Sequence, residues 1–455
     1  MNRRILQLAL PNIITNITVP LLGMVDMAIV GHLSQSHIGA IAIGTSMFNL
    51  IYWNFGFLRM GTSGFTAQAY GARRLDEAVA TLVRAFTIAL AIAALLIALQ
   101  WPLAMATRLA FNGSDEVMTL ALSYFFVRIW AAPATLGLYA IKGWMIGMQN
   151  SKLPMWIAIA LNVVNIVCSL LFVLVLHWGI KGVALGTVVA QYSGLAMGLW
   201  LLHRYYGRVI RGHLNIAGSL RLDAMRHFFH VNGDIFLRTV CLALVFAFIT
   251  AASGRIGDDI LAVDALLLQF FTVFSYIMDG FAYAGESLVG RYIGAADGKS
   301  LRRTIRLLML WGVALTVTFT IAYALGGSAF LGLFSDKPEV SAAAKPYLFW
   351  TLITPVCGFA AFLFDGIFIG ATASRHMRDS MFVATAVFFA VYYGLRALLG
   401  LYDNPDAYLW NNVLWTAFMA YLVFRGAMQA LMLNRAVYSK APQAASTLCN
   451  LKIAK

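Results

Sequence analysis

The sequence predicts an all-α integral membrane protein, with twelve transmembrane helices in two pseudo-symmetric six-helix lobes. Three observations carry this. Of 455 residues, 61% are hydrophobic and only 11% charged, with a mean hydropathy of +0.78, whereas a soluble globule carries about 25% charged residues. The apolar residues fall in twelve runs, each long enough to cross a bilayer. Short motifs of the first half recur in the second at a constant spacing: Gly71-Ala72 at Gly294-Ala295, Ile146-Gly147 at Ile369-Gly370 and Ser151 at Ser374, each 223 residues on, with Pro133 falling on Pro355 at one residue less.

In order, the spans are read at 8–32, 38–66, 78–100, 119–146, 154–176, 182–202, 228–252, 260–288, 304–326, 345–370, 380–400 and 409–431. Span 1 organises the rest. Within Leu8 to Leu33 it carries Pro11, Pro20, Asn12, Asn16 and Asp26. Each proline removes a backbone donor and crowds the preceding turn, so this helix can bend. A carboxylate at a helix centre costs about 2.5–3.5 kcal/mol on insertion scales, so Asp26 must face protein or water. Span 5 adds Asn162, Asn165 and Ser169 on adjoining positions of one face, and span 6 adds Thr187 and Gln191 at i and i+4. Such amides and hydroxyls glue helices together, and they are also the groups that would tune a buried carboxylate.

The connection 203–227 is the longest basic one and divides the chain into lobes 1–202 and 228–431, with a tail at 432–455. Five further acids lie in the second lobe. Asp234 and Arg238 stand at i and i+4 on span 7, which permits an intrahelical ion pair. Asp279 and Glu286 share a face of span 8 two turns apart. Asp365, in LFDGIFIG, stands as a further cavity carboxylate, and Asp264 reads as interfacial because it sits in the first turn of its span. Six helices per lobe is an even number, so both copies enter the membrane in the same sense.

The net charge of +14 implies no nucleic-acid partner, because the Lys and Arg residues lie in short loops between spans. Loops with Arg3, Arg4, Arg73, Arg74, Arg204, Arg302 and the tail lysines outweigh those with Arg108, Lys181, Arg255, Lys337 and Lys345 about fourfold, which puts both termini in the cytoplasm. MNRR with no cleavage site after it reads as an uncleaved anchor. Cys168, Cys241, Cys357 and Cys449 stand alone, without metal-ligand or disulfide spacing. Gly294 with Gly298-Lys299-Ser300 is one residue short of a phosphate loop and follows no strand. Gly194 and Gly198 read as a close helix contact rather than a dimer face, and His376 to Asp379 is too isolated for catalysis. No clustered nucleophile, metal set or acid–base constellation suggests an enzyme.

The stretches NITVPLLGMVDMAIVGHL after LALP, AQAYGA before span 3, KGVALGTVVAQY in span 6, and DGFAYAGE with FDGIFIGAT in the second half resemble the multidrug and toxic compound extrusion (MATE) family, most of all its DNA-damage-inducible protein F branch. The resemblance implies an inner-membrane antiporter of two six-helix lobes set as a V, exporting amphipathic, often cationic or aromatic compounds against protons or sodium, with no cofactor. It implies that Asp26 binds the coupling cation, that Pro20 is where the first helix bends, and that Asn165 and Thr187 are polar partners of Asp26. The sequence departs from the family at Ser169, where many relatives carry a second carboxylate. That leaves Asp26 to couple alone or with second-lobe acids. Substrate-cavity candidates are Asn162, Gln191, Asp234, Asp279, Glu286 and Asp365. The expected partners are small amphipathic substrates, the coupling cation and the bilayer, and a monomer is expected. The alternative is a lipid or lipid-linked-precursor flippase, which would use Arg59, Arg128, Lys142 and Arg396 if they pointed inward.

Overall fold

A computed structural model describes residues 1–31, 34–111, 113–334, 338–402 and 406–441. Leu33, Lys337, Cys449 and the tail past 441 lie outside the described residues. The chain divides into two compact units, the first Leu10–Asn232 and the second Met1–Ala9 with Gly233–Lys455. Its helices are α1 (Asn2–Gly31), α2 (Gln35–Asn54), α3 (Phe57–Gly71), α4 (Leu75–Ala98), α5 (Gln100–Ala110), α6 (Asp115–Arg128), α7 (Ala132–Gly147), α8 (Lys152–Leu170), α9 (Gly179–His213) and α10 (Ile216–Ser219). After them come α11 (Leu222–Ile256), α12 (Asp258–Gly294), α13 (Gly298–Phe334), α14 (Pro338–Ala344), α15 (Leu348–Gly370), α16 (Ser374–Leu398) and α17 (Ala407–Ala436). Among the described residues there is no strand, and twelve segments are long and apolar enough to cross a membrane. They coincide with the twelve predicted runs. In a bilayer only structures that satisfy every backbone group internally can span, which is why the apolar runs become helices.

Three of the segments are built from two helices in series. α2 and α3 form Ser36–Gly71, α6 and α7 form Asp115–Gly147, and α14 and α15 form Glu339–Gly370. Prolines set two of the joints: Pro133 stands at the start of α7 after a 3-10 turn at Ile129–Ala131, and Pro346 lies in the turn Lys345–Tyr347. Both are positions where a missing backbone N–H costs nothing. Gly257, at φ +158°, lets the chain reverse between α11 and α12.

Two regions differ from the sequence reading. The basic connection 203–227 is almost wholly helical, shared among α9, α10 and α11. It is pinned to α4 by Arg84, which donates to the Ser219 carbonyl at 2.7 Å and to Glu77 Oε1 at 2.6 Å. α5, too short to span, exposes Trp101, Met105 and Leu109, one apolar stripe at i, i+4 and i+8. The phosphate-loop lookalike is a helix start, because Asp297 Oδ1 accepts from Ser300 N at 3.0 Å and caps α13.

The 223-residue register is a repeat of contacts. After α3 and α12 the chain turns through Arg73 (φ 58°) and Ala296 (φ 50°), and after α7 and α15 through Gln149 (φ 65°) and Thr372 (φ 47°), at the same spacing. α7 packs on α3, where a Cβ on Gly143 would strike the Arg59 carbonyl and one on Gly147 the Ser63 carbonyl. α15 packs on α12, where Gly366 faces the Ala282 carbonyl and Gly370 the Glu286 carbonyl. All four pairs keep the same spacing.

Candidate functional site

In the first unit, Asp26 is 2% exposed. It is presented by α1, which runs unbroken through Pro11 and Pro20. The turns before Pro20 are braced by side chains. Thr15 Oγ1 donates to the Pro11 carbonyl at 2.9 Å, Thr18 Oγ1 to the Thr15 carbonyl at 2.7 Å, and Asn162 Nδ2 of α8 to the Thr18 carbonyl at 3.1 Å. Asn162 thus supports the backbone of α1 rather than Asp26 itself.

The residues expected around Asp26 do gather. Ser169 Oγ donates to Asp26 Oδ1 at 3.5 Å, the Thr187 hydroxyl is within hydrogen-bonding reach, and Asn165 Nδ2 donates to Thr187 Oγ1 at 3.1 Å. α8 and α9 can approach this closely because Gly186 stands opposite Ser169, where a Cβ would lie 2.5 Å from the hydroxyl oxygen. Just beyond, the chain widens into a π turn at Leu171–Val175, a feature frequent at functional sites. Asn165 Oδ1 is buried and accepts no hydrogen bond. Asp26, Asn165, Ser169 and Thr187 therefore form a buried oxygen-rich cluster with an unfilled acceptor. Gln191, one turn further along α9, is half-buried.

A cation stands in electrostatic reach of this group: Arg128, at the end of α6, acts on the Asp26 carboxylate. Its guanidinium lies over the rings of Phe48 and Tyr124, 4.9 and 5.3 Å from their centroids, and donates to the Tyr124 hydroxyl. The sequence signal is an arginine inside the apolar run Phe125 to Trp130, which the flippase alternative assigns to anionic head groups.

The second unit is built differently. The ion pair that spacing permits between Asp234 and Arg238 does not form. Asp234 accepts from Arg378 Nη1 at 2.6 Å and Ser374 Oγ at 2.9 Å, whereas Arg238 reaches Asp365 on α15. Asp365 Oδ2 also accepts from Arg425 of α17, and its Oδ1 from Gln429 Nε2 at 2.9 Å. Asp279, half-buried, acts electrostatically on both arginines, and Glu286 is fully buried. In the first unit Asn12 Nδ2 donates to Ser151 Oγ at 3.0 Å, and Ser151 is the repeat counterpart of Ser374. Asp264 does not face water as its interfacial reading expected: it lies 2% exposed among Ser253, Asn411 and Trp415. Helix α12 begins at Asp258, two residues before the predicted span, which puts Asp264 in its second turn. Arg425, Gln429 and Trp415 carried no local signal that tied them to these acids.

Comparison with known proteins agrees with this architecture. A family model described as MatE matches twice, over residues 11–171 and 235–396, one match per repeat. DNA damage-inducible protein F of Escherichia coli (strain K12) is 37% identical over 433 residues, 94% of this chain and 91% of that one. A probable multidrug resistance protein NorM of Neisseria meningitidis serogroup B is 23% identical over 359 residues, 78% of each chain. Among solved structures, a crystal structure of MATE in the bent conformation superposes with a TM-score of 0.84, at 16% identity over 97% of both chains. The outward-facing conformation of a multidrug resistance MATE family transporter gives 0.81 at 16% identity, covering 97% of this chain and 96% of that one. With its twelve membrane-spanning segments and this twofold match, the chain belongs to the MATE family of multidrug and toxin extrusion transporters.

Proposed function

We propose that the protein is a secondary active antiporter of the bacterial inner membrane, with both termini cytoplasmic, that exports amphipathic cationic or aromatic compounds and couples export to proton entry through Asp26. The observation that carries this is a buried carboxylate on a proline-containing helix, bonded only by neutral groups, with Arg128 acting on it from outside contact distance. A carboxylate so placed exists in two charge states of very different energy. Ionised, it attracts Arg128 and any cation in the pocket; protonated, it releases both. A ligand shifts a two-state transporter only by its differential affinity for the states, so proton and substrate must favour different ones, and Asp26 is the group whose charge distinguishes them. The same oxygens would also suit sodium, which is why the test below imposes the two gradients separately.

The flippase reading needs basic side chains free to meet anionic head groups. Of the four basic residues it names, Arg128 is engaged by Phe48 and Tyr124, and Arg396 lies 4.2 and 4.0 Å from the ring centroids of Tyr402 and Trp410, which weakens that reading at two of them. The test is uptake of a fluorescent lipophilic cation by reconstituted vesicles under a proton or a sodium gradient imposed separately. We expect transport under the proton gradient and its loss in Asp26→Asn with expression unchanged. Undiminished transport by Asp26→Asn would sink the coupling role, and none under either gradient would favour the flippase.

A further inference from the structure

Asp264 plays no part in the reading above, and its surroundings pose a problem of proton count. Its Oδ1 accepts from Asn411 Nδ2 at 3.0 Å and from Trp415 Nε1 at 2.7 Å. Its Oδ2 is hydrogen-bonded to Ser253 Oγ, and that same oxygen lies 2.8 Å from the Ile249 carbonyl. A serine hydroxyl has one proton and two lone pairs. If Asp264 is ionised, that single proton must serve two acceptors. If Asp264 is the neutral acid, the chain closes: Oδ2–H donates to Ser253 Oγ, and Ser253 donates to Ile249.

The charges nearby agree. Among the described residues no Lys, Arg or His pairs with Asp264. On α11 the nearest cation, Arg255, is exposed, as are Asp258 and Asp259 on α12, Glu339 on α14, Lys345 in the turn before α15, and Asp406 ahead of α17. From α16, Arg396 is stacked on Tyr402 and Trp410. Tyr347, buried and stacked at 5.4 Å on Tyr408, supplies no cation. An anion here would be buried without a counter-charge, the costliest arrangement a carboxylate can adopt.

We propose that Asp264 is a proton-binding site of the second unit, held as the neutral acid with its proton on Oδ2 and donated to Ser253. It joins α11, α12 and α17 at one point, so losing the proton to water requires those helices to part and admit solvent. Proton occupancy at Asp264 therefore reports on, and biases, how closely their ends pack. This site is separate from Asp26 and stands whether or not Asp26 couples transport.

The experiment is infrared difference spectroscopy of the full-length protein in lipid nanodiscs, stepping pH upward from neutral. A C=O band of a protonated carboxylic acid should be present at neutral pH, vanish at alkaline pH, be lost in Asp264→Asn and persist in Asp26→Asn. Ser253→Ala keeps the acid but removes its acceptor, so the band should move to higher frequency. Asparagine mimics the neutral acid, with Oδ1 accepting and Nδ2 donating, so Asp264→Asn should melt at the wild-type midpoint. No such band, a band unmoved by Asp264→Asn or by Ser253→Ala, or a band lost only in Asp26→Asn would each overturn the assignment.

Discussion

Two buried aspartates show how one side chain can be set to opposite tasks by its partners. Asp365 faces two guanidinium groups and an amide from α11 and α17. Removing it leaves Arg238 and Arg425 buried side by side. Breaking a buried ion pair from one side costs about 3–5 kcal/mol, so Asp365→Asn should lower the thermal midpoint of the detergent-solubilised protein sharply. Gln429→Leu, which deletes one hydrogen bond, should cost about 1 kcal/mol. Asp26, by contrast, accepts only a long hydroxyl bond and reach from a second hydroxyl. Its replacement by asparagine should leave stability within about 1 kcal/mol of wild type while removing coupling. Equal destabilisation by the two substitutions would show that Asp26 too is held for structure.

At the level of elements, the repeat rests on helix pairs brought together by glycine. Gly143 and Gly366 each face a backbone carbonyl of the partner helix, which cannot move aside as a side-chain tip can. Gly143→Ala and Gly366→Ala should each destabilise by about 1–3 kcal/mol; Gly394→Ala on α16, where nothing lies within 4 Å of the new methyl, should not. The cap of α13 adds a dependence on pH. Hydrogen bonds from Ser300 hold the Asp297 carboxyl below the usual carboxylate range. The folded-state value is depressed, so the cap's contribution is complete above the unfolded carboxylate value and is lost as pH falls through the folded one. Wild type should lose more of its melting temperature on acidification than Asp297→Ala. The contacts of Gly147 and Gly370 were legible in the sequence because a backbone carbonyl so close admits only glycine, so both copies kept it; the turns were not, since Arg73 and Gln149 became Ala296 and Thr372 in the second copy. Nor were the partners of the acids. Asp264 meets Trp415 and Asp365 meets Arg425 across 151 and 60 residues, and no local pattern links such positions. The i, i+4 rule misled at Asp234 and Arg238 because each found a better partner on another helix.

Across the whole molecule, the usual arrangement of polar outside and apolar inside is reversed in part. Leu325, Leu398 and Leu431 are 87%, 80% and 78% exposed, while Asp26, Asp264, Glu286 and Arg425 are buried. Lipid explains both halves of this, since apolar side chains lose nothing by facing acyl chains and charged ones must turn inward. The same solvent argument, extended to the loops, sets orientation. Basic residues are kept where they are not translocated, and the loops holding Arg73, Arg74, Arg204 and Arg302 outweigh those holding Arg108, Lys181 and Arg255. Arg204 near the end of α9 and Arg255 at the end of α11 are both exposed, and they lie on opposite sides of that prediction. With Cys168, Cys241, Cys357 and Cys449 replaced by serine, a membrane-impermeant thiol reagent applied to intact cells should label Arg255→Cys and leave Arg204→Cys unlabelled until the membrane is permeabilised. The reverse pattern would invert the chain in the membrane and make Asp264 a site at the cytoplasmic rather than the outer end of its helix.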